Sequence, residues 1–322
     1  MNLTSLLGAP LLPASFPLPL DQPFTYRTAL REAGLTSRDL QWLVANGFLR
    51  RALRGVYVAS HLPDTIALRC ACLRLAVPPD AVITDRHAGW VHGAEMVLAP
   101  NEHLDLATIR TFLPAGRGRL RNPLSDSGER TFRPDDVMEI DGLRVTTPLR
   151  TAWDLGRVRW PERSLASLDQ MLRLRAFSKE ELTDGVERFR GMRWVRTLRA
   201  IAPLADGRAE SPPESVLRLR WIEALLPAPV PQLEVWHLGE LLARLDLGNE
   251  DARYGAEFDG MEWHSSPEQQ AHDRQRRAAC EEHEGWLIDV FVKENLYGRT
   301  ANAERMLREG MAEARRRLGR RP

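Results

Sequence analysis

Cysteine is scarce: Cys70, Cys72 and Cys280 are the only three in 322 residues. They are too few and wrongly spaced for a disulfide framework or a structural zinc site. That scarcity points to a reducing, cytoplasmic setting. Long apolar runs are absent too. The uncharged stretch of residues 1–20 is broken by four prolines and by polar residues, so it does not read as a span of the ~20 apolar residues that cross a bilayer, and no membrane partner is expected. The first residues are apolar and proline-rich (Leu11, Leu12, Pro13, Pro17, Pro19) but lack a basic n-region, so they do not read as a signal peptide. Neither charge dominates, since 45 Lys and Arg against 44 Asp and Glu leave a net charge of +1. Any nucleic-acid binding must therefore come from local basic patches. The middle of the chain, about residues 65 to 205, shows no internal repeat.

What remains is ordinary globular composition, 43% hydrophobic and 28% charged, in a chain long enough for two or three modules. The expected class is a multidomain α/β protein. Residues 1–20 read as a flexible lead, 21–62 as a winged helix-turn-helix, 63–205 as a mixed α+β region and 206–322 as a further α/β domain. In the first module Thr36 and Asp39 form a short capping box, Leu35, Leu40, Leu43 and Val44 share one side, and Asn46-Gly47 ends the helix. Residues 48–58 then read as two strands around a basic turn. In the middle region Thr147-Pro148 starts one helix and the pair Ser178 and Glu181 another. His87 and His92, five apart, are poorly spaced for shared ligation and read as structural.

Beyond Asp206-Gly207 the order is a helix (212–226), three strands (230–236, 241–247, 254–258), a polar helix (267–283), a buried strand (286–292) and a final helix. The acidic run Glu281, Glu282, Glu284 is followed by Arg315, Arg316, Arg317, Arg320 and Arg321. That basic end reads as a solvated tail, with a nucleic-acid contact as the alternative. Asp246 interrupts an apolar strand, where acids are depleted. Glu257 and Asp259, two apart, share a face of the next strand. Converging carboxylates hold a hard cation such as Mg²⁺ (or Mn²⁺), which polarises a phosphodiester and activates water. Asp259-Gly260 is also an ordinary turn signal. The three acids together, with His264 beyond the turn and a basic helix after it, favour a site.

The stretch from Glu210 to Leu296 resembles the very-short-patch-repair (Vsr)-like endonuclease domains of the PD-(D/E)XK superfamily. The likeness runs through Ser211 to Ser215, Arg244-Leu245-Asp246, Glu257 to Gly260, His264, Asp273-Arg274 with Arg277, and Gly285-Trp286-Leu287. It implies a restriction-endonuclease-like αβββαβ fold, with Asp246 and Glu257 as metal ligands and Glu214 contributing from the first helix. Asp259 stands where the superfamily has lysine, so His264 or Arg277 would take the lysine's part. His264 would be an acid/base or phosphate-contacting group, and Arg274 and Arg277 would lie on DNA. Glu214 has a second reading as the partner of Ser211 in a capping box.

Residues 34–58, 84–93 and 146–152 resemble the winged-helix antitoxin-like proteins of AbiE-type systems. The resemblance implies that Ser37, Arg38 and Gln41 face the major groove, while Arg50, Arg51 and Arg54 grip phosphate, tasks that suit the planar guanidinium. Three functions follow. One is a DNA endonuclease using Mg²⁺ or Mn²⁺. The alternative is an antitoxin-like repressor whose nuclease fold has lost activity, and the third is an RNA-directed nuclease. DNA is the expected partner; a second copy of the chain, or another protein, is left open.

Overall fold

The computed structural model describes residues 3–96, 108–114, 116, 125–260 and 267–319. Two compact units emerge, one of the described residues up to Asp154 and one of those from Leu155 onward. The described residues are mixed α/β, with several helices and three sheets. No described helix is long and apolar enough to cross a membrane.

In the first unit, β1 (Phe24–Thr25) leads into α1 (Tyr26–Ala33) and α2 (Ser37–Ala45), then β2 (Leu49–Leu53) and β3 (Val56–Ala59). The capping box at α2 forms as expected: Asp39 N donates to Thr36 Oγ1 at 3.3 Å and Thr36 N to Asp39 Oδ2 at 2.8 Å. Leu40 and Leu43 bury the inner side against Leu35, Phe48 and Leu49. Gly55, at φ +77°, makes the tight β2–β3 turn, a conformation that glycine adopts without strain. The two-residue strand β1 was not expected; it adds to β3 and gives a sheet ordered β1-β3-β2.

After α3 (Ile66–Arg74) come β4 (Val82–Ile83), α4 (Asp85–His92), β5 (Ile109–Pro114), β6 (Ser125–Arg130), β7 (Val137–Ile140), β8 (Leu143–Thr146) and α5 (Pro148–Gly156). The five strands order as β6-β5-β4-β8-β7, mixing parallel and antiparallel pairs. His87 is buried and His92 half-buried. Burial holds the His87 imidazole down at about 4, and His92 Nε2 lies 2.7 Å from the Thr146 carbonyl. The Arg150 guanidinium, 4% exposed, joins Asp136 at 2.5 Å and Asp154 at 2.9 Å, while Arg130 joins Asp154 and Asp85.

The second unit begins with α6 (Pro161–Arg173), α7 (Lys179–Asp184, opened by the expected Ser178–Glu181 box) and α8 (Val195–Ile201). It continues through α9 (Pro212–Glu223), β9 (Val230–His237), β10 (Glu240–Asn249), β11 (Tyr254–Phe258), α10 (Pro267–Glu284), β12 (Leu287–Phe291), α11 (Lys293–Leu296) and α12 (Ala303–Arg317). The sheet runs β12-β11-β10-β9. Only β11–β12 is parallel, and α10 supplies the crossover that a parallel pair requires. Trp221, Tyr254, Phe291, Leu307 and Met311 fill the core that α9 and α12 share with the sheet. Cys280 packs against Leu233, Leu245 and Trp286, as a buried thiol does. The expected boundary at Asp206 falls inside this unit. There Arg218 of α9 reaches the fully buried Asp169 of α6 at 2.6 Å, and Asp206 N donates to the same carboxylate.

Candidate functional sites

The N-terminal half of α2 leaves Ser37, Arg38 and Gln41 exposed, because its apolar positions turn inward at the helical period. Ser37, Gln41, Val44, Ala45, Arg51 and Tyr57 line one open cavity of about 290 Å³. The helix and the hairpin therefore present polar groups to the same concavity. Arg54, in the hairpin turn, is exposed beside it in sequence. Arg50 departs from the expectation. Neighbouring residues of a strand point to opposite faces, and Arg50, half-buried, donates to the Leu62 carbonyl at 2.8 Å. That contact ties Arg50 to the segment after the hairpin, while Arg51 and Arg54 remain exposed.

In the second unit the strands carrying the expected acids are neighbours. Leu247 pairs with Ala256, which sets Asp246 and Glu257 one step further along the same ladder. Asp246 Oδ2 accepts from Phe258 N at 2.7 Å. Burial, and then the negative charges of Glu214 and Glu257, push the Asp246 carboxyl up to about 7. Glu257, 6% exposed, is met by Arg276 at 2.8 Å and Arg277 at 3.1 Å, both from α10. Among the described residues its buried Oε1 has that ion pair but no well-aligned hydrogen bond.

Glu214 combines its two expected roles only in part. Its backbone N–H donates to Ser211 Oγ at 3.4 Å, as in a capped helix. Its carboxylate, however, reaches past the cap and accepts from Glu210 N and from Gln232 Nε2, each at 2.8 Å. Asp259 lies just beyond β11, exposed, with its N–H donating to the Phe291 carbonyl at 2.8 Å. Arg274 is exposed on α10. His264 lies outside the described residues.

Two members of this cluster escaped the sequence reading. Arg276 was passed over for its neighbours because only the phase of α10 decides which arginine meets Glu257. Gln232 holds a φ of +55°, a strained value for a side chain-bearing residue, and carries no local signal. The donor chemistry, hard carboxylate oxygens, suits Mg²⁺ or Mn²⁺. In this structure Glu257 is held by two guanidiniums and Glu214 by two N–H groups. Among the described residues no three such side chains are grouped to hold a metal ion.

The AbiEi antitoxin C-terminal domain family matches residues 81–204. Two uncharacterized proteins from two strains of Mycobacterium tuberculosis are each 31% identical over 262 residues, covering 81% of this chain and 92% of theirs. No such match supports a Vsr-like endonuclease domain, and that resemblance rests on its residues alone. Residues 81–204 match the AbiEi antitoxin C-terminal domain, and the chain belongs to the family of these mycobacterial proteins.

Proposed function

We propose that the protein is a DNA-binding regulator of antitoxin type. The observation that carries this reading is the shared concavity of Ser37, Gln41 and Arg51, with Arg38 and Arg54 exposed nearby. On this reading α1, α2 and the β2–β3 hairpin form a winged helix. Its second helix enters the major groove, and its wing arginines displace counterions from phosphate. The antitoxin-domain match supports the same direction. The test is a salt titration of full-chain binding to duplex DNA. R51A/R54A should weaken binding and flatten the slope of log affinity against log salt by about two contacts. R50A should leave that slope nearly unchanged. An unaltered slope in R51A/R54A refutes the wing contact.

A second reading, hydrolysis of DNA phosphodiesters in residues 206–322 with Mg²⁺ or Mn²⁺, is favoured by one arrangement. Asp246 and Glu257 stand side by side on adjacent strands, with Glu214 near enough to repel Asp246. On that reading the domain is restriction-endonuclease-like, Asp246 and Glu257 would hold the ion, and Arg276 and Arg277 would have to release Glu257. Incubating the full chain with plasmid and either metal, with and without EDTA, decides it. Cleavage abolished by D246A and by E257A supports hydrolysis. No cleavage by the wild type in either metal leaves the regulator reading alone.

A further inference from the structure

The surface that joins α5 to α6 and leads into α8 has no role in the reading above, yet its chemistry is distinctive. Two Arg-Trp dipeptides open two helices: Arg159-Trp160 before α6 and Arg193-Trp194 before α8. Each tryptophan occupies the N-cap position and makes no capping hydrogen bond there. Serine, threonine, aspartate or asparagine would satisfy that position, so each helix start forgoes a stabilising contact. Trp194 also sits at φ +62°, an outlier for a bulky side chain. Backbone strain of this kind collects at functional sites. Both rings remain in solvent, Trp160 51% and Trp194 36% exposed.

The two segments are physically joined. Arg157 Nη1 lies 3.8 Å from the Met192 sulfur, and its guanidinium stands 4.6 Å over the Phe189 ring. Each tryptophan carries the guanidinium of the preceding arginine over its ring, at 4.7 Å for Arg159 and 5.0 Å for Arg193. Arg159, Arg190, Arg193 and Arg196 are exposed, and among the described residues none has a carboxylate within ion-pairing distance. The acids nearby in sequence are turned elsewhere, Glu187 to Arg199 at 2.8 Å and Glu162 to Arg220 at 3.9 Å.

We propose that this surface binds a single-stranded nucleic acid, with bases stacked on Trp160 and Trp194 and phosphates met by the four exposed arginines. Duplex DNA offers phosphates, but its base faces are closed inside the stack. Exposed rings flanked by guanidiniums match unpaired bases, whose faces stack on indole regardless of sequence. The chemistry is shared by DNA and RNA strands. It is separate from the α2–hairpin reading.

The experiment uses the full chain, with fluorescently labelled oligothymidylate, oligouridylate and a duplex of equal length, read by anisotropy. The wild type should bind at least one single strand, and the two strand types tell DNA from RNA. W160A/W194A should lose about tenfold or more, as removing a stacked base contact does. W160F/W194F should stay near wild type because the ring faces survive, and R159Q/R190Q/R193Q should weaken binding and lower its salt dependence. R51A/R54A should lower duplex binding more than single-strand binding, and W160A/W194A the reverse, so the two readings fail separately. If circular dichroism shows the alanine variant unfolded, W160L/W194L answers the same question with bulk retained and the aromatic face gone. The proposal is overturned if the wild type binds neither strand, or if the ring-less variant binds as well as wild type. Parallel loss of duplex and single-strand binding also overturns it, since that marks a duplex phosphate contact.

Discussion

Replacing Asp246 by asparagine removes a negative charge that Glu214 and Glu257 repel, while leaving an oxygen to accept from Phe258 N. Burial and the neighbouring Glu214 and Glu257 raise the Asp246 carboxyl to about 7, against 3.8 for a free side chain. Between those values the folded chain keeps a proton that the unfolded chain has released, so stability falls as pH rises. The slope is about 1.4 kcal/mol per pH unit, and it ends once pH exceeds the folded value. From about pH 5 to about pH 8 it acts over about two units, so the wild type loses about 3 kcal/mol that D246N retains. At roughly 2–4 °C per kcal/mol, thermal melts of the metal-free chain at both pH values resolve the difference. D246N should melt above the wild type at the higher pH, with the gap narrowing at the lower. Equal destabilisation at both pH values would refute the crowding of charge and make Asp246 a structural acceptor for the strand end.

Three further outcomes follow from the packing. R150L should destabilise the first unit by about 3–5 kcal/mol in urea melts, because the Asp136 and Asp154 carboxylates lose a buried partner. R218L should act similarly in the second unit, and recovery at low pH is expected. Burial raises the Asp169 carboxyl to about 6, so below that pH it takes a proton and needs no counter-charge. Gly310→Ala should cost about 1–3 kcal/mol, since a methyl group there lands on the Tyr254 ring and the Asp289 carboxylate.

Local signals were legible wherever one short segment carries the whole cause. Thr36 with Asp39, Ser178 with Glu181, and Pro212 after Ser211 each mark a helix start within four residues, and each helix begins there. The strand order around Asp246 and Glu257 was equally readable, because their ladder is built from consecutive antiparallel segments. The capping role of Glu214 was half right: proximity in sequence offered it the Ser211 amide, but Glu210 N and Gln232 gave its carboxylate better partners.

What the sequence alone determined, then, is the identity of the elements and of the charged groups, since periodicity and caps act within a turn or two of chain. Tertiary structure decided which of those groups meet. Arg50 and Arg51 are adjacent and chemically identical, yet strand alternation sends one to the Leu62 carbonyl and leaves the other exposed. Arg276 and Arg277 converge on Glu257 only because the crossover lays α10 against the sheet. The Arg-Trp surface follows the same rule. Its dipeptides lie 34 residues apart in sequence, and Arg157 joins their two segments only after the α5–α6 corner packs beside α8. Contacts between segments far apart in sequence are set by the three-dimensional packing, and a linear pattern does not carry them.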